Sequence, residues 1–224
     1  RNFAINKSKG QFIAFLDVDD VWTKDKLFKQ IPKFKDKKIG LVYSNFFKLF
    51  QRNKEKKIAH KNKLPEGIVT SDILKNYNVG IVTVVLRKKF LNKNKKIFDY
   101  NYDLLSDFDF VLHYSLKHKF SCINQPLAFY RIHDTQLQKI NMVQQARQFC
   151  LWFEKKKISK IFKKYDLTSI YKKYRYFRIL KNINGSKINL IKEIINNFTF
   201  RNFFKICVIL FLPKKLVFDY IENV

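Results

Sequence analysis

Apolar residues come in short runs over the first 134 positions and in long helical stripes after them. Phe12 to Leu16 is an unbroken apolar run, too short for a helix, bounded by Gly10 and by Asp17, Asp19 and Asp20. That pattern predicts a strand buried on both faces of a parallel sheet, with three carboxylates where it leaves the core. Residues 40–50, around Leu41-Val42-Tyr43-Ser44, and residues 81–86 read as further strands. Residues 120–123 and 127–132 read as a closing hairpin turned at Asn124-Gln125-Pro126. Helical spacing covers residues 1–9, residues 25–35 with Pro32 as a kink, a short stretch ending at Tyr77 capped by Ser71 or Asp72, and the stripe Phe108, Val111, Leu112, Ser115, Leu116. Residues 52–63 read as a lysine-rich solvated loop or hairpin, and Pro65-Glu66-Gly67 as a turn. Strands alternating with helices define an α/β fold over residues 1–134. The long patterns at 136–164, 167–184 and 186–197 form a helical appendage over 135–224.

Two places in this pattern carry chemistry. Asp17, Asp19 and Asp20 repel one another, so they need a counter-charge. A hard divalent cation that also holds a ligand's phosphates supplies it; the plainer alternative is an acidic turn capping the next helix. Ser106-Asp107-Phe108-Asp109 opens the other site: Ser106 and Asp109 have capping-box spacing, and Asp107 lies off the apolar stripe. The helix dipole favours an ionised carboxylate there, which suits a base. His133, at a strand end, reads either as a structural histidine or as a ligand for metal or diphosphate. Arg131 beside it can hold phosphate or pair with a carboxylate.

Charge and cysteine add limits. The formal net charge is +28 over 224 residues, but lysine supplies most of it and it is spread along the whole chain. Nucleic-acid recognition favours the arginine fork, so the better anionic partners are a nucleotide diphosphate and an acidic membrane surface. Cys122, Cys150 and Cys207 are odd in number and lack metal spacing, which predicts reduced thiols in a cytoplasmic protein. No apolar stretch reaches the roughly 20 residues a bilayer span needs. The tail, with Phe200, Phe203, Phe204 and 206–212 beside Lys205, Lys214 and Lys215, suits either a helix lying in a membrane interface or one packed on the enzyme.

Arg1-Asn2-x-Ala4-Ile5, Gly10-x-Phe12-Ile13-Ala14-Phe15-Leu16-Asp17-x-Asp19-Asp20-x-Trp22 and Lys26-Leu27 together resemble the Asp-x-Asp region of family 2 glycosyltransferases. Phe98-Asp99, the Asp107-x-Asp109 pair and Tyr130-Arg131-x-His133 extend the resemblance, with Ser106 and His113 standing where the family has glutamate and arginine. The resemblance implies a GT-A sheet and an inverting transfer of sugar from a nucleotide-diphosphate donor to a hydroxyl acceptor. Asp107 would be the base. Asp17, Asp19, Arg131 and His133 would face the donor diphosphate, with Mg²⁺ or Mn²⁺ at Asp17, Asp19 and His133. Thr83 and Trp22 would flank the acceptor. Partners would be a nucleotide sugar, a glycan or lipid-linked acceptor and peripheral membrane contact at the inner face of the plasma membrane, without nucleic acid.

Family members bind the base and ribose through a β-α-β half ahead of the Asp-x-Asp, and this chain starts after it. The expectation is therefore a partial GT-A sheet that is inactive by itself. Two other functions compete. Phe15-Leu16-Asp17-Val18-Asp19-Asp20 also resembles the first motif of haloacid-dehalogenase-type phosphatases, with Asp17 as nucleophile and Asp19 as acid–base. A basic nucleic-acid-binding protein is the other, and it leaves the paired carboxylates unexplained.

Overall fold

Two long strands running parallel form the spine of a mixed six-stranded sheet. β3 (Ile39–Phe50) pairs with β6 (Lys119–Ile132) from Ile39 opposite Lys119 to Phe50 opposite Ile132. The other edge of β3 takes β5 (Val85–Arg87) near its start and β4 (Lys56–Ile58) near its end, both antiparallel. β1 (Phe12–Ala14) closes one side on β5, and β2 (Val21–Trp22) closes the other on β6, giving the order β1-β5-β3-β6-β2. The computed structural model describes residues 1–91, 97–133, 141–157, 162–181 and 211. They divide into two compact units, Arg1–Asp134 with Tyr165–Leu167, and Thr135–Lys164 with Thr168–Val224.

The α/β class is as expected, but the strand roles differ from the sequence reading. β1 is an antiparallel edge strand of three residues, not a parallel one inside the sheet. The strand buried on both faces is β3, where Leu41, Val42 and Tyr43 have no exposure. Each such side chain contributes roughly 1.5–3 kcal/mol by burial. Residues 119–132 form one strand rather than a hairpin. Pro126 lies opposite Asn45 at a register shift, where its missing N–H costs no ladder bond. Residues 81–83 form a 3-10 turn ahead of β5, not the start of a strand. Lys56–Ile58 and Gly67 behave as the sequence predicts: the lysine-rich segment returns as β4, and Gly67 takes φ +89° in its turn.

Among the described residues four short helices flank the sheet: α1 (Asn2–Lys7), α2 (Lys26–Gln30, continued as a 3-10 turn through Pro32), α3 (Thr70–Lys75) and α4 (Ser106–Ser115). Ser71 and Asp72 fall inside α3, which starts after Val69 without a side-chain cap. α4 is buried on more than its predicted stripe, because Phe110 and Tyr114 are buried too. The Tyr114 hydroxyl donates to the Gly40 carbonyl at 3.1 Å. Gly40 has to be small there, since a Cβ would come within 2.6 Å of the His118 Cβ.

The second unit contains α5 (Met142–Lys157) and α6 (Thr168–Lys181), inside two of the expected helical stretches. Phe149 meets Trp152 and Phe177 with ring centroids 5.6 and 5.0 Å away. The expected helix at 186–197, the tail at 198–217 (Phe211 aside) and Cys207 lie outside the described residues. Cys122 and Cys150 are both buried. Among the described residues no helix is long and apolar enough to cross a membrane.

Candidate active site

Phe98 gathers the two acidic sites. Asn2, at the start of α1, donates through Nδ2 to the Phe98 carbonyl at 2.7 Å and accepts from the N–H groups of Ile97 and Phe98 at 3.1 and 2.9 Å. The Phe98 ring packs edge-on against Phe15 at 5.6 Å and against Phe110 of α4 at 5.1 Å. Arg1 lies over the same ring at 5.6 Å. Phe15 lies two positions before Asp17, and Phe110 lies within α4, so these two aromatic contacts bring Asp17 and Asp107 into the same neighbourhood.

The acidic loop joins the two edge strands β1 and β2 and turns through a bond from Asp20 N–H to the Asp17 carbonyl at 3.1 Å. Arg1 Nη2 reaches both carboxylate oxygens of Asp17, at 3.0 and 2.7 Å. His133 Nε2 lies 3.1 Å from Asp19 Oδ2. Asp20 is 7 % exposed and accepts the Arg131 N–H at 3.1 Å. Burial raises its carboxyl to about 6, helped by the Asp19 and Asp17 charges and opposed by the Arg131 N–H. The loop is thus tied to the end of β6, and Arg131 does this through its backbone.

Asp107 occupies the first turn of α4, as expected. Its Oδ1 accepts the Phe108 N–H at 2.7 Å. The carboxyl is partly open to solvent, yet the dense protein around it makes desolvation dominant and raises its pKa. The Phe108 N–H and the positive charge of Arg1 oppose that rise, and Asp17 adds to it. Asp109 does not cap α4. The helix starts after Leu105 without a side-chain cap, and the buried Asp109 instead meets His113 Nδ1 at 3.3 Å, one turn on.

Hydrogen bonds to backbone carbonyls of the 81–83 turn tie it to both Trp22 and α2. The Trp22 indole N–H donates to the Val82 carbonyl at 2.9 Å, and Gln30 Nε2 of α2 donates to the Thr83 carbonyl at 2.8 Å. Thr83 itself is fully buried, with its hydroxyl on the Gly80 carbonyl at 2.7 Å. Trp22, by contrast, is partly exposed. Lys26 is 1 % exposed, and its ammonium has no hydrogen-bond partner among the described residues. It lies 4.3 Å over the Trp22 ring, and burial lowers its pKa to about 7.

The expected metal site is not shown by this arrangement. Among the described residues no group of three or more His, Cys, Asp or Glu is placed to hold an ion. Asp17, expected as a ligand, has both oxygens on Arg1. Asp19 and His133 already share one corner, and a carboxylate with an imidazole fits a divalent cation that completes its shell from phosphate oxygens and water.

Residues 1–118 match the model of glycosyl transferase family 2, more than half of the chain, and the chain belongs to that family. It is 38% identical over 92 residues to the Escherichia coli UDP-Glc:alpha-D-GlcNAc-diphosphoundecaprenol beta-1,3-glucosyltransferase WfgD, covering 41% of this chain and 35% of that one. It is 35% identical over 86 residues to WfaP of the same species, which carries the same activity in its name, covering 38% and 33%. The chain thus spans about a third of the length of the curated relatives it matches. Among solved structures, S. aureus TarS 1-349 with UDP is similar at a TM-score of 0.49 and 15% identity, over 88% of this chain and 57% of that one.

Proposed function

We propose that this chain carries the catalytic base and the diphosphate-facing loop of an inverting glycosyltransferase, which moves a sugar from a nucleoside-diphosphate donor to a hydroxyl of a lipid-linked or cell-envelope glycan. One observation carries the reading: Asp107, at the positive end of α4, shares the field of Arg1 and Asp17 in the acidic loop. A base and a diphosphate site so placed can serve one reacting centre. The nucleotide-sugar donor and the lipid-linked acceptor follow the activities in the names of the two E. coli relatives. Such an acceptor places the reaction at the cytoplasmic face of a membrane. The family match leaves the phosphatase and nucleic-acid alternatives without support.

The mechanism follows from the side chains. Asp107, held by the Phe108 N–H, accepts the proton of the attacking acceptor hydroxyl. Its raised pKa makes the ionised carboxylate a stronger base than a free aspartate. Attack on the face opposite the leaving diphosphate inverts the anomeric carbon. Arg1 and Arg131 supply positive charge toward phosphate oxygens. A divalent cation at Asp19 and His133 would neutralise the charge on the leaving group. Trp22, anchored to Val82, offers an aromatic face to the acceptor sugar.

Incubating the chain, supplied with the β-α-β half that the family places ahead of the Asp-x-Asp, with UDP-sugars, Mg²⁺ and a diphospholipid-linked GlcNAc tests this. The expected result is a product of inverted anomeric configuration, absent in Asp107→Asn. Equal transfer by that variant overturns the base assignment.

A further inference from the structure

Lys26 is 1 % exposed, and its ammonium has no hydrogen-bond partner among the described residues. A charge taken out of water without hydrogen bonds is costly, and any contact that meets it counts for more there than at the surface. The Trp22 ring makes that contact: Nζ lies 4.3 Å from its centroid, well inside the range over which an indole attracts a cation. A second contact fixes the same ring, since the indole N–H donates to the Val82 carbonyl at 2.9 Å. The carbonyl of the next residue, Thr83, accepts from Gln30 Nε2 at 2.8 Å. Gln30 is fully buried and stands one turn after Lys26 on α2. One helix therefore grips the indole twice, directly through Lys26 and through the turn that Gln30 holds. Trp22 also packs against Phe46, Val82 and Ala128, but apolar packing is non-directional, whereas the cation and the N–H contact each fix an orientation. The indole stays partly open to solvent, while the ammonium on it is closed off.

We propose that Lys26 is a positioning residue for acceptor binding: its ammonium holds the Trp22 indole at the tilt that lets an acceptor sugar stack on the open part of the ring. This rests on the reading of Trp22 as facing the acceptor. A sugar meets an aromatic ring through its C–H groups, and small errors in placing a substrate carry large losses. The residues assigned to the donor diphosphate lie elsewhere, in the acidic loop, at Arg1 and at the end of β6. Loss of the Lys26 charge therefore acts on the acceptor and spares the donor.

The test has two arms, both at pH 6, where the side chain is charged because burial lowers its pKa only to about 7. In the full 224-residue chain, NMR relaxation of the Trp22 indole N–H reports the order of the ring. Its signal is told from that of Trp152 by its loss in Trp22→Phe. Lys26→Met keeps the volume and removes the charge. The order parameter is expected to fall from the rigid level of about 0.85 to below about 0.6, while the melting temperature holds or rises. A side chain that only packs would move the two in the same direction. An unchanged order parameter overturns the proposal. The wild-type chain supplies a reading that needs no variant: the indole ring current should move the Lys26 Hε signals upfield, and ordinary positions overturn the proposal equally. The second arm uses the enzyme completed with its β-α-β half and the diphospholipid-linked GlcNAc. There Lys26→Met is expected to raise the acceptor KM about tenfold, the scale of one desolvated cation–indole contact, with kcat and donor KM unchanged. An unchanged acceptor KM in Lys26→Met beside a raised one in Trp22→Leu overturns the proposal alone. Unchanged values in both variants sink the acceptor reading of Trp22, and the role given to Lys26 with it. A completed enzyme that transfers no sugar sinks the proposed function, while the order parameter still decides whether Lys26 holds the ring.

Discussion

Asp19 and His133, 114 positions apart in the chain, meet at 3.1 Å. The contact links the loop after β1 to the end of β6. Replacing either residue by alanine is expected to weaken binding of Mn²⁺ with UDP at least tenfold in calorimetry, the scale on which metal sites respond to loss of a supporting group. Wild-type affinity in both variants removes the cation from this corner.

Asp107 trades stability for function. Its folded pKa is raised, so between the unfolded value near 3.8 and the folded one the native state binds more protons than the unfolded chain. The carboxylate is thus a cost at neutral pH. Asp107→Asn should abolish transfer yet melt at the same temperature or a few degrees higher, with donor binding intact. A lower melting temperature would make Asp107 a structural group.

Asp20 sets a second pH window. Its pKa rises from 3.8 to about 6, so stability should fall as pH increases across that interval and stay reduced above it. The penalty is at most about 3 kcal/mol, from 1.36 kcal/mol per unit. Asp20→Asn keeps an acceptor for the Arg131 N–H. It should therefore raise the melting temperature at pH 7 and leave it nearly unchanged at pH 4, as scanning calorimetry at the two pH values would report. Equal effects at both place the cause outside titration.

Lys26 gives the opposite slope. Burial lowers its pKa from 10.5 to about 7, so the unfolded state binds the extra proton between those values and stability rises with pH through that window. Lys26→Met fills the same space without an unpaired ammonium. A gain of about 1–4 kcal/mol is expected near pH 7, the range found when buried charges are replaced by apolar groups. In a chain of this size that is several degrees in melting temperature. Loss of stability instead would mean that the contact with Trp22 outweighs the buried charge.

Much of the site was legible along the chain because its chemistry is written locally. Three aspartates follow one apolar run, and Asp107 opens a helix whose stripe begins at Phe108. The periodicities also located β3, α2 and α4, since a side-chain period depends only on neighbours within a few residues. Reading β1 as a parallel interior strand failed for the converse reason. A short apolar run records that it is buried, not which strand covers it, and here β5 pairs with it antiparallel at the sheet edge. The hairpin at Asn124–Pro126 failed likewise, because a register shift against Asn45 lets one strand pass through a turn-like sequence.

What the residues determined by themselves was the α/β class, the acidic loop and the position of Asp107 in a first turn. What the tertiary structure alone decided was pairing across distance: Arg1 on Asp17, His133 on Asp19, Asn2 on Phe98 and Tyr77 against Phe108. It also turned Thr83 into the core and drew Asp109 away from the helix cap toward His113. The physical reason is that hydrogen bonds and ion pairs are short-ranged contacts between specific atoms. Their partners lie as far as 114 residues apart, and the packing of Phe15, Phe98 and Phe110 helps to bring the site's separate segments together.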